Sequence, residues 1–187
     1  MTEKIKCGWC MKDKLYQDYH DKEWGVPVLD DHKMFEFLIL ETFQAGLSWY
    51  TILSKRENFI NAFDQFDYQK IACYNEEKVQ ELMLNAGIIR NQLKIRATIS
   101  NAKAYLEIQK EFSSFCNYIW SFVNHQPIIN HWKSLSEIPT TTTLSDTISK
   151  DLKKKGFKFL GSTVVYAHLQ ATGIVNDHLI DCFKRSK

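Results

Sequence analysis

The chain has no apolar run that approaches the roughly 18 residues of a membrane-spanning helix. Its first residues, Met1 to Trp9, are polar and include no apolar core of a secretory signal peptide. With 187 residues, 44% of them hydrophobic and 25% charged, the composition is that of an ordinary globular chain. We therefore expect a cytoplasmic protein that makes no contact with a membrane.

Motifs of several common enzyme classes are also missing. The sequence contains no GxGxxG, no phosphate-binding loop with its lysine and no HExxH. The period-2 alternation of apolar and polar residues that marks a strand is not sustained anywhere. These absences argue against nucleotide cofactors and zinc proteases, and they favour an all-α fold.

Capping residues and apolar segments predict where the helices lie. Asp31 starts a strongly apolar helix that Gly46 ends, and Ser48 caps the next helix, which runs to about Arg56. A loop is expected between the two prolines at 127 and 139. Further helices are predicted at 67–73, 75–84, 91–109 and 112–123, from Ser145 or Asp146 to Gly156, at 161–172, and after Asp177, where the last one carries His178 and Cys182.

Cysteine is rare and odd in number, and the five residues show no spacing of a disulfide framework. Cys7 and His20 lie near the start of the chain, whereas His178 and Cys182 lie near its end. On a helix, the second pair would share one face because its spacing is i, i+4. Two thiolates and two imidazoles form the ligand set of a closed, structural zinc site. The pattern predicts a zinc ion that joins the termini, with Cys10 as an alternative ligand to Cys7.

One acidic residue lies in an apolar, aromatic setting. Glu41 is the only charged residue between Phe37 and Leu53. Burying an unpaired carboxylate costs on the order of several kcal/mol, so Glu41 needs either a structural partner or a function. Aromatic rings around an acid suit a flat, electron-poor or cationic ligand. The candidate rings are Trp9, Tyr16, Tyr19, Trp24 and Trp49.

The net charge is only +2, so the total gives no argument for binding a polyanion. The basic residues are nonetheless clustered, at Arg90, Lys94 and Arg96 and again at 150–158. The first group follows a glycine turn, at 85–87, between two predicted helices, which is the outline of a helix-hairpin-helix. In that motif, backbone N–H groups bind DNA phosphate without reading sequence. The alternative is that both groups are solvated helix faces.

Nine short segments between residues 7 and 178 carry recognisable motifs. They are Cys7-Gly8-Trp9, Tyr19-His20-Asp21, Glu23-Trp24-Gly25-Val26-Pro27, Gln44-Ala45-Gly46-Leu47-Ser48-Trp49, Lys55-Arg56-Glu57-Asn58, Ala86-Gly87-Ile88-Ile89-Arg90, Trp120-Ser121-Phe122-Val123-Asn124-His125-Gln126-Pro127, Lys155-Gly156-Phe157-Lys158-Phe159 and Val175-Asn176-Asp177-His178. Together they resemble the bacterial 3-methyladenine DNA glycosylase I family over nearly the whole chain.

The resemblance implies a monomeric helix-hairpin-helix DNA glycosylase in which residues 1–187 form one catalytic unit. The helix-hairpin-helix core would span about 30–145 and pack against zinc-tied terminal segments, 1–29 and 146–187. The implied zinc ligands are Cys7, His20, His178 and Cys182, and the implied pocket residues are Trp9, Tyr16, Tyr19, Trp24, Glu41 and Trp49. The DNA-backbone contacts would be Gly87, Ile88, Arg90 and Lys94, and Leu47 would either fill the gap in the base stack or belong to the core.

Two departures from the wider superfamily refine the expectation. Ile89 stands where a second hairpin glycine often occurs, and no Asp lies between Asp67 and Asp146, where many such glycosylases carry a catalytic Asp. Methylation already weakens the glycosidic bond of 3-methyladenine, so strong general-base help is needed less. No lysine is visibly placed as a nucleophile, so the reaction should be hydrolysis without strand cleavage.

The expected activity is to flip 3-methyladenine out of double-stranded alkylated DNA and hydrolyse its glycosidic bond, which releases the free base. Three other classes stay open on the residues alone. A zinc hydrolase would need one of the four ligands to leave a coordination position open. The other two are a helical DNA- or base-binding module without activity and a site for a different aromatic cation.

Overall fold

A buried helix, α2 (Asp31–Gln44), lies at the centre of the structure, a computed structural model that describes residues 4–185. All ten residues from Met34 to Phe43 are buried, so this helix has no solvent-facing stripe over that length. Such a helix must be surrounded by other elements. Its sequence therefore places the carboxyl group of Glu41 in the interior.

Of the other α-helices in the described part of the chain, some contact α2 directly and others pack on its neighbours. They are α1 (Lys14–Lys22), α3 (Trp49–Leu53), α4 (Arg56–Ala62), α5 (Tyr68–Ala72), α6 (Glu76–Leu84), α7 (Gln92–Phe112), α8 (Phe115–Ser121), α9 (Thr143–Lys154) and α10 (Ser162–Ala171). Short 3₁₀ turns occur at Gly8–Cys10, Asp64–Phe66 and Leu135–Glu137. Helices α3, α7, α8 and α10 all contact α2. The predicted all-α class is confirmed.

Local capping chemistry sets several helix starts as predicted, at Ser48, Asp67 and Asn75. The start of α9 was predicted wrongly at Ser145 or Asp146, since the helix begins at Thr143. Thr142 is its cap, and the hydroxyl of Ser145 accepts a hydrogen bond from the Thr142 N–H at 2.8 Å. Ser145 thus closes a capping box from inside the first turn.

The predicted last helix is wrong. After α10 the chain forms β2 (Val175–Asn176), which pairs in parallel with β1 (Ile128–Ile129), and His178 then lies in irregular backbone outside any helix. The segment that follows β1 makes hydrogen bonds to residues 177–180. Asn130 and Trp132 donate to the Asp177 carboxylate, and the Ile180 N–H donates to the Trp132 carbonyl. These hydrogen bonds to a neighbouring segment take the place of the i to i−4 hydrogen bonds of a helix.

The two ends of the chain are packed against each other behind α2. The Gly25 N–H donates to the Gln170 carbonyl, and the Val28 N–H donates to the Thr172 carbonyl. Gly173 has φ +70°, and a Cβ there would lie 2.4 Å from the carbonyl carbon of Val26. Only glycine permits this approach. Within residues 4–185, no helix has both the length and the apolar character required to cross a membrane.

Candidate base pocket and metal site

The six predicted pocket residues line a single cavity of about 150 Å³. They arrive from four places in the fold: the first 3₁₀ turn, α1 and the turn after it, α2, and the start of α3. Three further residues complete the wall. The complete lining is Trp9, Tyr16, Tyr19, Trp24, Glu41, Gln44, Trp49, Ala167 and Gln170.

The aromatic side chains hold one another at edge-on and tilted angles. The ring centroids of Trp9 and Trp24 are 5.0 Å apart, and those of Trp9 and Tyr16 are 4.9 Å apart. Tyr19 packs at 5.4 Å from Trp49, which comes from the other side of the cavity. Such contacts add roughly 0.5–1.5 kcal/mol each beyond burial. They keep the ring faces in place for a flat ligand.

Glu41 lies at the base of the cavity and is 3% exposed. Among the described residues, its Oε2 has no hydrogen-bond partner, and the same is true of the indole Nε1 of Trp49. Burial raises the pKa of Glu41 to about 8, because the site disfavours a charge that nothing nearby neutralises. A buried acceptor and a buried donor without partners are costly for the fold alone. They are suited to a ligand that supplies a positive charge and polar edges.

Arg56, a buried cation at the start of α4, is already neutralised by other acids. Arg56 donates two bonds of 2.8 Å to Glu23 and one of 2.6 Å to Glu36. Burial alone would lower the pKa of Arg56, but these two carboxylates outweigh it and raise that pKa. The network fixes α4 against α2 and leaves the carboxyl group of Glu41 without a basic partner.

The hairpin turn lies between α6 and α7. The Gly87 N–H donates to Asn85 Oδ1 at 2.8 Å, and the Lys55 ammonium donates to the Gly87 carbonyl at 3.2 Å. Arg90 is exposed beside the turn, whereas the side chain of Ile88 is buried in the core. Contact between Ile88 and DNA would therefore have to come from its backbone.

The structure does not support a phosphate contact by the side chain of Lys94. Its side chain is only 6% exposed, and its ammonium donates to the carbonyls of Phe43 at 2.8 Å and Ala45 at 2.7 Å. The charge pattern could not reveal that these carbonyls, at the end of α2, lie within reach. Leu47 follows in the same loop and is 40% exposed beside the pocket, so it is not a core residue.

The four predicted metal ligands lie together, and all are buried. Their ligand atoms fall within 4.8 Å of one another. The Sγ of Cys182 is 3.4 Å from His20 Nε2 and 3.5 Å from His178 Nδ1, and the Sγ of Cys7 is 3.7 Å from His178 Nδ1. Ordinary zinc bond lengths in a tetrahedron give sulfur-to-nitrogen edges of about 3.6 Å. The set could therefore hold a metal ion.

The outer nitrogens of both histidines are already bonded. His20 Nδ1 lies 2.8 Å from Asp21 Oδ1, and His178 Nε2 lies 3.0 Å from the Trp24 carbonyl. These acceptors place the ring protons on the outer nitrogens, so the inward nitrogens carry lone pairs that can bind a metal, as in known metal sites. Cys10 is outside the cluster, because its thiol donates to the Cys7 carbonyl at 3.0 Å.

The fold and the pocket define a helical protein built to hold one flat base in an aromatic cavity with a buried acid. Residues 9–185 match the family model described as methyladenine glycosylase. The chain belongs to the methyladenine glycosylase family.

Named relatives and solved structures are similar over almost the full chain. DNA-3-methyladenine glycosylase 1 of Escherichia coli K12 is 53% identical over 95% of both chains, and DNA-3-methyladenine glycosylase of Haemophilus influenzae Rd is 49% identical over 95% of this chain and 96% of its own. A crystal structure of 3-methyladenine DNA glycosylase I superposes with TM-score 0.94 at 50% identity, over 97% of this chain and 100% of that one. The Staphylococcus aureus enzyme, whose structure concerns 3-methyladenine recognition, has TM-score 0.94 at 37% identity over 97% of both.

Sequence reasoning did not assign three of the residues that line the pocket. Gln44 lies one turn after Glu41 on α2, so helical spacing alone could have suggested it. Ala167 and Gln170 come from α10, more than 120 positions away, and nothing in the local sequence marks them. Their contribution depends on how the chain ends pack together.

Proposed function

We propose that this chain is a DNA repair glycosylase that excises 3-methyladenine from alkylated DNA. The observation that carries the proposal is the buried, unpaired carboxyl group of Glu41 at the base of an aromatic cavity. Methylation at N3 gives adenine a positive charge that its neutral counterpart lacks. That charge favours the ionised carboxylate and is attracted by the ring faces, so the pocket prefers the damaged base.

The lesion must leave the duplex before it can reach this cavity. Flipping a damaged base costs less than flipping a paired, undamaged one, which adds to the selectivity. Leu47 is exposed at the pocket rim and is suited to enter the gap in the stack. The hairpin at Gly87 and Ile88, with Arg90 beside it, would hold the DNA backbone. The ammonium of Lys94 is already bonded to the carbonyls of Phe43 and Ala45, which argues against a phosphate contact by that side chain.

Departure of the base leaves an oxocarbenium-like sugar, which the DNA phosphates stabilise in part and water then hydrolyses. The nine residues that line the pocket include no lysine, which supports a reaction without a Schiff base to the sugar. The reaction is therefore hydrolysis that leaves an abasic site intact. The protein would act as a monomer on double-stranded DNA.

A single structural zinc fits the cluster of Cys7, His20, His178 and Cys182. When bound, the zinc ion would cross-link the two terminal segments through its ligands. It would hold no reactive water, because four protein ligands fill a tetrahedral coordination sphere. This donor set disfavours a zinc hydrolase, which needs an open coordination position.

The test is release of free base from methylated duplex DNA, separated by chromatography. We expect 3-methyladenine from the wild-type protein and little from Glu41→Gln, whereas Glu57→Gln, which changes an exposed acid on α4, should match the wild type. If a folded wild-type protein bound an abasic duplex but released no base, the chain would be a binding module and the proposed activity would be wrong.

A further inference from the structure

A fifth thiol lies directly beside the metal ligands and is bonded to one of them. Cys10 is buried, and both its N–H and its thiol donate to the carbonyl oxygen of Cys7, at 3.2 Å and 3.0 Å. Its Sγ is not one of the ligand atoms that meet in the cluster. Neither the proposed reaction nor the metal site uses this thiol.

The backbone brings Cys7 and Cys10 within reach of a disulfide. Cys7 is the N-cap of the 3₁₀ turn Gly8–Cys10, so Cys10 is the third residue of that turn. Side chains at these two positions lie next to each other, as they do in a capping box. The hydrogen bond from the Cys10 N–H to the Cys7 carbonyl closes a turn, which keeps the Cα atoms of its first and fourth residues closer than about 7 Å. A disulfide needs a Cα separation of roughly 4.4–6.8 Å.

Trp9 lies between the two cysteines in the sequence and lines the base pocket. On its other side, its ring centroid is 5.4 Å from that of the metal ligand His20. The conformation of this one turn therefore sets the position of a pocket ring as well as that of a metal ligand.

A surface cavity of about 480 Å³ opens beside the turn. Its lining includes residues on both sides of the turn, Ile5 and Lys6 before Cys7 and Met11 after Cys10. Ile5 and Met11 are 62% and 55% exposed, and exposed segments of this kind open locally at low cost. A small oxidant can therefore reach the turn without unfolding of the helical core.

We propose that Cys7 and Cys10 form a disulfide when the protein meets a hydroperoxide, and that this bond withdraws Cys7 from the metal site and Trp9 from the pocket wall. The redox chemistry rests on the cysteine pair alone. Its effect on base binding rests on the proposed function.

The step balances with the hydroperoxide as the oxidant. The Cys7 sulfur, which is a thiolate when it binds a metal, attacks one oxygen of the hydroperoxide. An S–O bond forms, the O–O bond breaks, and the departing alkoxide or hydroxide takes a proton from water. The Cys10 thiol then displaces the oxygen of this sulfenic acid, so that an S–S bond forms and water leaves with the thiol proton.

Cys182 is the competing partner for Cys7, because its Sγ belongs to the same cluster. A bond between them would have to draw together two segments from opposite ends of the chain, each held by its own packing. Cys7 and Cys10 lie within one turn of one segment, so the local pair needs the smaller movement.

The test exposes the zinc-loaded protein to hydrogen peroxide and locates the disulfide by mass spectrometry of its peptides. We expect a link between Cys7 and Cys10, release of zinc to a chromogenic chelator and loss of binding of free 3-methyladenine, followed by tryptophan fluorescence. Reduction with dithiothreitol and addition of zinc should reverse all three. The peptide mapping does not need bound zinc, so it also tests a protein that carries no metal.

Cys10→Ser separates the pair from the metal ligands, because it leaves Cys7 and Cys182 in place. Without a thiol at position 10, the sulfenic acid of Cys7 is oxidised further to sulfinic acid, which dithiothreitol does not reduce. Most chains should then lose the ability to rebind zinc. Cys73→Ser is the matched control, since it removes an exposed thiol outside the cluster and should recover like the wild type.

A link between Cys7 and Cys182 in the wild type, or equal recovery of zinc binding by Cys10→Ser, would overturn the inference. A link between Cys7 and Cys10 with unchanged base binding would overturn the effect on Trp9. Failure of the proposed function is distinct from these outcomes, because the reduced wild-type protein itself would then release no 3-methyladenine.

Discussion

The carboxyl group of Glu41 combines two properties that proteins rarely keep together: it is buried, and its Oε2 has no hydrogen-bond partner among the described residues. Arg56, a buried basic residue of α4, is bonded to Glu23 and Glu36 instead. Perturbed pKa values of this kind gather at functional sites. At the scale of single residues, the unpaired carboxyl group of Glu41 costs the fold stability at the place where the ligand is expected to bind.

The titration of Glu41 gives a prediction for stability against pH. Its pKa is about 8 in the folded protein against 4.5 as an ordinary value, so the folded state binds the proton more tightly. The stabilisation is fully present below pH 4.5 and is lost as the pH rises through 8, and each tenfold difference in proton affinity is worth about 1.4 kcal/mol. Urea unfolding at pH 5 and pH 9 should therefore show a smaller loss for Glu41→Gln than for wild type. Glu57→Gln is the control, and parallel losses in all three proteins would contradict the assignment.

At the scale of elements, the sequence predicts those features that depend on neighbouring residues. The caps at Ser48, Asp67 and Asn75 follow from the side chain two or three positions before the N–H that it binds. The irregular backbone around His178 could not be predicted in this way. The i, i+4 spacing of His178 and Cys182 suits a helix. Hydrogen bonds from Asn130 and Trp132 to Asp177 instead hold this segment against the residues that follow β1.

The same distinction applies to the pocket. The sequence predicted the pocket residues that lie in the first 49 positions, apart from Gln44. Aromatic side chains around a lone acid can be recognised there without a structure. The wall from α10 was missed, since Ala167 and Gln170 reach the pocket only through tertiary packing. The buried position of Lys94 was missed for the same reason.

Lys94 connects α7, which follows the hairpin, with the end of α2, which carries Glu41. It lies in the first turn of α7, just after the hairpin, and its ammonium caps the carbonyls at the end of α2. Cations stabilise helix C-termini, and an unpaired buried carbonyl costs about 1–3 kcal/mol. Lys94→Met should therefore lower the free energy of unfolding in urea by about 2–4 kcal/mol. Lys103→Met changes an exposed lysine on the same helix and should cost little. Equal effects of the two variants would show that the buried bonds contribute nothing.

At the scale of the whole molecule, the first and last parts of the chain form one structure. A second apolar cluster unites Cys7, Tyr19 and Trp24 with Cys182, and Trp24 also lines the base pocket. The residues that pack the two ends together therefore overlap with those that line the cavity. That the full chain acts as one catalytic unit, with its core at about 30–145, stays a prediction.

This shared construction leads to a prediction for the metal. A zinc ion on Cys7, His20, His178 and Cys182 would close a loop of almost the whole chain, and a cross-link of that length stabilises by roughly 4–5 kcal/mol in the entropic account. Removing zinc with a chelator, or replacing Cys182 with Ser, should lower Tm by several degrees. Excision of 3-methyladenine well below the lowered Tm should change little, because the four ligands leave no coordination position for chemistry.

Cys10→Ser is the matched control, because Cys10 is buried beside the cluster but bonds only the Cys7 carbonyl. It should retain one zinc per chain by elemental analysis and keep a Tm that falls on chelation, whereas the Tm of Cys182→Ser should no longer respond to the chelator. If Cys182→Ser stayed folded and thermally stable yet lost all activity, the metal would belong to the reaction. The pocket and the metal site would then form one catalytic centre, with Trp24 between them.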